Sequence, residues 1–329
     1  MTNLDASTEA TITDETAIGF IPCYRLPFLS LYQIDVLEGF KNIPDKSQDL
    51  IIADPPYYKA INESWDKQWK TEAEYLDWCK LWFNECVRVL KDTGSFYCYG
   101  NFDILSKQKV LIFDKQLNFR QNITLNKGLK SIAGRTSDKL RMFPTASEQL
   151  VFYTKQEMCI TSPFKIIIDN KMQELGLREI DFRKLRPSKN GNLTGWCSNI
   201  LKDKNLPTKD DWDLICHLIK IESINYEDLY REHQNNRFTF NLPYATTDVW
   251  DFTPDKVRYG HPTQKPQDIC QRIINASSNE NDNVLIPFAG SGSEIVGCKE
   301  LKRNCIAFEI ESKYIDIIKQ RTNDAGTLF

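Results

Sequence analysis

Short apolar runs alternate with longer amphipathic stretches along this chain, and the alternation predicts strands and helices in turn. Asp49-Leu50-Ile51-Ile52-Ala53 reads as a buried strand, and Gly94 to Tyr99 as a second. Between them, Thr71 to Leu90 places Tyr75, Trp78, Trp82 and Val89 at helical spacing, which predicts a helix whose aromatics belong to the core. Asp103 to Phe113 predicts a further helix, and Phe119 to Leu125 and Glu148 to Tyr153 two further strands. The connection Asn126 to Pro144 is long, basic and polar, the kind of loop that serves function inside a compact domain. Near the C-terminus the order is strand (Asn283 to Ile286), glycine-rich turn, helix (Ile295 to Leu301) and strand (Asn304 to Phe308). This order predicts an α/β fold with a mostly parallel sheet covered on both faces.

Residues 156–245 break the pattern. They open on Phe164-Lys165-Ile166-Ile167-Ile168 and continue through Arg178, Arg183, Lys184, Arg186 and Lys189. Helices are then predicted over Lys209 to Ile219, with Thr208 as N-cap and Asp210 and Asp211 in the first turn, and over Tyr226 to Gln234. The expected organisation is a flexible, acidic, Thr-rich leader at 1–19, a first core half at 20–155, a small, mainly helical insert at 156–245, and a second core half at 246–329.

Composition narrows the class. No run approaches the roughly 20 apolar residues that span a bilayer, and the N-terminus lacks the basic-then-apolar layout of a signal peptide. Ten scattered cysteines without a Cys-x-x-Cys pair read as small core residues of a reducing, cytoplasmic compartment. His217, His233 and His261 stand apart, so no metal is expected. The net charge of −3 conceals a division: residues 101–210 carry 20 Lys and Arg against 11 Asp and Glu, while both flanks are acidic. A basic middle third is the footprint expected of a DNA-facing surface, with salt-dependent binding. A solvated lysine-rich surface is the plainer reading of any single charge run.

The candidate chemistry begins at Asp54-Pro55-Pro56-Tyr57, immediately after the first strand. Two prolines stiffen the loop and remove two backbone donors. An acid, a rigid carbonyl and an aromatic ring are thereby held at a strand's C-terminal edge, where open α/β sheets bind ligands. That set suits a flat base bearing an amino group; taken alone, it is also an ordinary Pro-rich turn. The second motif, Pro287-Phe288-Ala289-Gly290-Ser291-Gly292-Ser293-Glu294, joins a strand to a helix, so backbone can approach a ligand closely. Glu309 ends the next strand and is placed to accept hydrogen bonds from ribose hydroxyls. A third fingerprint glycine and a Gly-Lys-Ser/Thr are both missing, which argues against a dinucleotide site and a P-loop.

Asp-Pro-Pro-Tyr followed by Phe-Ala-Gly-Ser-Gly resembles the catalytic and cofactor motifs of the amino-group DNA methyltransferases. The catalytic motif comes first, as in their beta class. His261-Pro262-Thr263-Gln264-Lys265-Pro266 and Tyr32-Gln33-Ile34-Asp35-Val36-Leu37 are similar to two more of its segments, and the likeness covers about 30–155 and 245–322. The resemblance implies a Rossmann-like methyltransferase fold, S-adenosylmethionine as cofactor, and methyl transfer to a base flipped out of double-stranded DNA. It implies catalytic roles for Asp54, Pro55, Pro56 and Tyr57, with Tyr57 stacking on the base and Asp54 and the Pro55 carbonyl accepting from its amino group. Cofactor contacts are implied for Asp35, Asp54, His261, Thr263, Lys265, Phe288, Gly290, Ser291, Gly292 and Glu309, with Thr263 and Lys265 near the cofactor's carboxylate. The insert sits where the class carries its target-recognition region. DNA contacts are expected from Lys127, Lys130, Arg135, Lys139 and Arg141 in the basic loop, and from Arg183, Lys184, Arg186 and Lys189 in the insert.

One residue departs from the pattern: Ile286 stands where the family usually has Asp before Pro-Phe, so an acid is missing near the cofactor's methionine end. Asp at the head of the catalytic motif points to adenine N6. Cytosine N4, a binding-only homologue, and an RNA or protein amide methyltransferase stay open. Homodimerisation and a cognate restriction endonuclease are compatible with the class, and the sequence decides neither.

Overall fold

The computed structural model describes residues 21–58, 68–132, 141–156, 161–187, 194–221, 224–236, 238–241, 246–260 and 263–324. The expected leader at 1–19 lies outside them. The chain divides into two compact units, one of residues 1–155 and 239–329 and the other of residues 156–238.

The larger unit is built on one nine-stranded sheet. In chain order its elements are β1 (Tyr24–Leu26), β2 (Leu29–Gln33), α1 (Val36–Phe40), β3 (Gln48–Ala53), α2 (Glu72–Val89), β4 (Leu90–Gly100), α3 (Phe102–Leu111), β5 (Asn118–Asn126) and β6 (Ser147–Thr154). After the smaller unit, which holds α4 (Pro163–Leu175), α5 (Gly195–Leu201), α6 (Lys209–Leu218) and α7 (Tyr226–Asn236), follow β7 (Val249–Asp251), α8 (Gln267–Ser277), β8 (Asn283–Ile286), α9 (Ser293–Glu300), β9 (Asn304–Glu309) and α10 (Ser312–Asp324). The strand order is β1-β2-β9-β8-β3-β4-β6-β5-β7. Strands β2, β9, β8, β3 and β4 run parallel; β6 lies antiparallel between β4 and β5.

The order matters at one seam. β3 pairs with β8, Leu50 beside Val284 and Ile51 beside Leu285. Two motifs remote in sequence therefore leave the C-terminal ends of neighbouring parallel strands, which is the crevice where open α/β sheets receive ligands.

Apolar packing fixes that seam from both faces. α2 is N-capped by the Thr71 hydroxyl, which accepts from Glu74 N, and buries Tyr75, Cys79, Trp82, Phe83, Cys86 and Val89 along one side. Trp82 is fully buried, its ring meeting Phe83, Phe96, Phe113 and Phe288. Its replacement by Ala removes about 3–5 kcal/mol. On the opposite face, Ile269, Ile273 and Ile274 of α8 and Ile295 of α9 close over Leu50, Ile52, Val284 and Ile286. Ile286 is thus a core residue at the strand's end.

The smaller unit has its own core of Phe164, Ile168, Phe182, Cys197, Ile200, Leu201, Trp212, Ile215, Ile219 and Leu229. The Phe164–Ile168 run forms part of α4, capped by Ser162 with Pro163 at its first position and ended by Gly176 in the left-handed conformation (φ +64°). Thr208 and Asp211 form a reciprocal capping box on α6.

Candidate functional site

The catalytic loop leaves β3 at Asp54. Tyr75 from α2 donates to the Pro56 carbonyl at 2.7 Å, tying the loop to the helix. Pro55 is buried, and its carbonyl receives no hydrogen bond among the described residues. Pro55 itself lines a cavity.

Four charged or phenolic groups meet beside it. Tyr57 Oη donates to Asp54 Oδ1 at 2.6 Å and lies 2.5 Å from Glu148 Oε1, so one phenolic proton is shared between two carboxylates. Lys265 Nζ reaches Asp54 Oδ2 at 2.9 Å, Glu148 Oε1 at 2.8 Å and Tyr57 Oη at 3.0 Å, one partner for each ammonium hydrogen. Lys265 is only 3 % exposed. Burial favours its neutral form, but the Asp54 and Glu148 carboxylates more than reverse this and raise its pKa. Burial also dominates at Asp54 and lifts its carboxyl above the usual range, against the pull of Lys265. Glu148 is buried too, yet Lys265 and Lys127, the latter at 2.7 Å, hold its carboxyl down to about 2. The two carboxylates are thus pushed in opposite directions, Glu148 down by two cations and Asp54 up by burial.

The other wall is the glycine-rich turn. Gly290 and Gly292 have positive φ (+50° and +76°). A Cβ on Gly292 would lie 2.8 Å from Ile318 Cγ1, so packing as well as conformation demands glycine there. Glu309 accepts from Gly290 N at 2.7 Å and Glu311 N at 2.9 Å, which ties the turn to the end of β9. Burial lifts its carboxyl to about 7 despite these amides. Arg321, buried on α10, donates to the Ser291 carbonyl at 2.8 Å and to the Ser291 and Ser293 hydroxyls at 3.0 Å.

Between the walls lies a cavity with about 1050 Å³ of atom-free space, part of it open to solvent. Asp35, Asp54, Pro55, Pro56, Tyr57, Thr263, Lys265, Phe288, Gly290, Ser291 and Glu309 all line it. Asp35 also caps α1 by accepting from Leu37 N at 2.9 Å. Gly292 starts α9 behind the turn. A second cavity adjoins the first at Thr263 and is lined by Lys127, Glu148, Phe252, Arg258 and Gln264.

Several expected positions come out differently. Lys265, expected at a cofactor carboxylate, has its three hydrogens on Asp54, Glu148 and Tyr57. Trp78, expected in the core, does pack against it beside Tyr75 and Trp82, and it also lines the first cavity, 5.8 Å from Phe288. Lys127 lies on Glu148, and Arg186 pairs with Asp211 at 2.6 Å and stacks over Trp196, so both have structural loads within their own units. Arg141, Arg183 and Lys184 are exposed. Arg135, Lys139, Lys189, His261 and the Lys130 side chain lie outside the described residues.

Sequence reasoning missed Glu148, Glu294 and Arg321. For Glu148 a signal existed: it shares a face of β6 with buried Leu150 and Phe152, so an acid stood at a core position of an alternating strand.

The DNA methylase family model matches residues 48–320. Among curated relatives, the type II methyltransferase M.HinfI of Haemophilus influenzae is 27 % identical over 307 residues, covering 88 % of this chain and 67 % of its own length. The DNA adenine methyltransferase YhdJ of Escherichia coli (strain K12) is 28 % identical over 301 residues, covering 89 % and 82 %. Among solved structures, the cytosine-N4-specific PvuII DNA methyltransferase aligns with TM-score 0.57 at 14 % identity over 92 % of this chain and 89 % of its own. M1.HpyAVI in complex with S-adenosylmethionine aligns with TM-score 0.50 at 19 % identity over 89 % and 99 %. This chain belongs to the DNA methylase family, N6/N4 type, and its cofactor is S-adenosylmethionine.

Proposed function

We propose that the protein is a site-specific methyltransferase acting on the N6 amino group of adenine flipped out of double-stranded DNA. The observation that carries this reading is that Asp54, with its carboxylate, and Pro55, whose carbonyl receives no hydrogen bond among the described residues, stand next to each other on one loop and both line the first cavity. These are two acceptors for the two hydrogens of an exocyclic amine. Asp at the head of the motif and the adenine-named relative favour adenine. The same acceptors suit cytosine N4, and the cytosine-N4-specific fold neighbour makes that the second reading.

The first cavity fits the cofactor: a glycine turn closed to any side chain at Gly292, Glu309 for the ribose, and Phe288 and Trp78 as apolar walls. When bound, S-adenosylmethionine supplies an electrophilic methyl group on a sulfonium. The protein's residues do the rest. Accepting both amino hydrogens at Asp54 and Pro55 draws the nitrogen toward sp3 geometry and localises its lone pair toward the methyl. Asp54, lifted by burial, takes the proton that the amine sheds. Lys265 and Glu148 orient Asp54 and Tyr57. The Tyr57 ring is the stacking surface for the base, which leaves the helix at a cost of a few kcal/mol. The second cavity, beside Glu148, is the approach for that base, and the smaller unit reads the flanking sequence.

Long-read sequencing of DNA from a methylation-free bacterial host expressing the protein tests this. N6-methyladenine at one short motif is the expected result. N4-methylcytosine would move the assignment to the second reading, and unmodified DNA from an expressed, cofactor-binding protein would overturn both.

A further inference from the structure

Glu294 has no part in the chemistry above, yet it is 4 % exposed and lines the first cavity. It sits in the first turn of α9, where an exposed acid would complement the helix dipole equally well. Its carboxyl accepts from its own backbone N–H and lies 3.5 Å from the Cys270 thiol, both neutral donors. Among the described residues no Lys or Arg nitrogen lies within 4.0 Å of it, since Lys265 is taken by Asp54 and Glu148 and Arg321 by Ser291 and Ser293. Burying a carboxylate without a counter-charge is costly, so this one is expected to have a cation in the working protein. Burial, and then the nearby Asp54 charge, push its carboxyl up, the direction that a cation beside it would reverse.

The second observation is at position 286. Where the resemblance implies an acid, this chain has Ile286, 1 % exposed, part of the core cluster with Ile269, Ile295 and Val284, and absent from the cavity wall. The cavity thus lacks an acid at the end of β8 and has one at Glu294, on the far side of the glycine turn. We propose that Glu294 receives the α-ammonium of S-adenosylmethionine, replacing the carboxylate missing at position 286. The assignment rests on the cofactor occupying the first cavity and is independent of the target base.

The test is calorimetric titration of the full-length protein with three ligands. S-adenosylmethionine carries both sulfonium and ammonium, S-adenosylhomocysteine only the ammonium, and 5′-methylthioadenosine neither. Wild type is compared with Glu294→Gln and, in parallel, Glu294→Ala, so that a folding failure in one leaves the other to read. The expected result is a loss of about tenfold or more in affinity for the first two ligands, with methylthioadenosine binding as in wild type. Three results would overturn the proposal: unchanged affinity throughout, weakening of S-adenosylmethionine alone, or equal weakening of all three ligands, including the case where neither variant folds. Failure of wild type to bind any of them would instead sink the cofactor assignment for the first cavity.

Discussion

Asp54 and Asp211 make an instructive pair, one in each unit. Each carboxylate has a cation and an aromatic donor: Lys265 and Tyr57 for Asp54, Arg186 and Trp196 for Asp211. Their settings differ. Asp211 also accepts from Thr208 N, and these hydrogen bonds outweigh burial and hold its carboxyl below the usual range. It closes a helix N-terminus against its own core and borders neither cavity. Asp54 stands at a strand end beside an undonated carbonyl, and burial wins there. A partnered buried acid is therefore not in itself a site. What distinguishes Asp54 is an opening next to it and an acceptor left over.

Removing the cation should separate the two most sharply. Lys265→Met takes the shared cation from half-buried Asp54 and leaves buried Glu148 with Lys127 alone, and a loss of about 3 kcal/mol in urea unfolding is expected, together with loss of methyl transfer. A stability loss below about 1 kcal/mol would mean that the lysine is not the counter-charge the geometry makes it. Asp211→Ala removes a cap and two side-chain bonds; about 2 kcal/mol should disappear from unfolding while cofactor affinity stays within twofold of wild type. A change in cofactor affinity as large as that of a site variant would erase the contrast. The smallest effect concerns pH. The ribose contact proposed for Glu309 needs its anion, and with the carboxyl near 7 that anion is present above that pH and lost below it. Cofactor affinity should weaken as pH falls from 8 to 6, and Glu309→Gln should flatten that part of the profile. A profile unchanged in the variant would remove Glu309 from ribose binding.

Much of the larger unit was legible because its signals are local. An apolar run ending in Asp-Pro-Pro-Tyr, a glycine turn after Asn283–Ile286 and an acid after the following strand each declare themselves within a dozen residues. What stayed hidden depends on pairing across the sheet. Nothing local to Lys265 says that its ammonium will meet Glu148, because that meeting requires α8 to pack over the β3–β8 seam and β6 to turn Glu148 inward. The basic middle third was legible as charge but not as use. Lys107, Lys109, Lys127, Lys155, Lys165, Lys171 and Arg186 all have acidic partners within their own unit, so a count along the chain does not say which cations are committed to pairs. In the smaller unit the helix signals around Thr208 held, and α6 begins and ends within a residue of expectation. The Arg186–Trp196–Asp211 cluster was invisible there because its members come from three separate stretches.

In the function proposed above, Asp54 acts on the amine and not on the cofactor's hold. Asp54→Ala measures it directly, by incorporation of labelled methyl groups into DNA beside calorimetric cofactor binding. Incorporation should fall by about a thousandfold or more while S-adenosylmethionine affinity stays within a few-fold of wild type. Substantial residual incorporation, or a collapse of cofactor affinity matching the lost activity, would remove Asp54 from the chemistry at the amine.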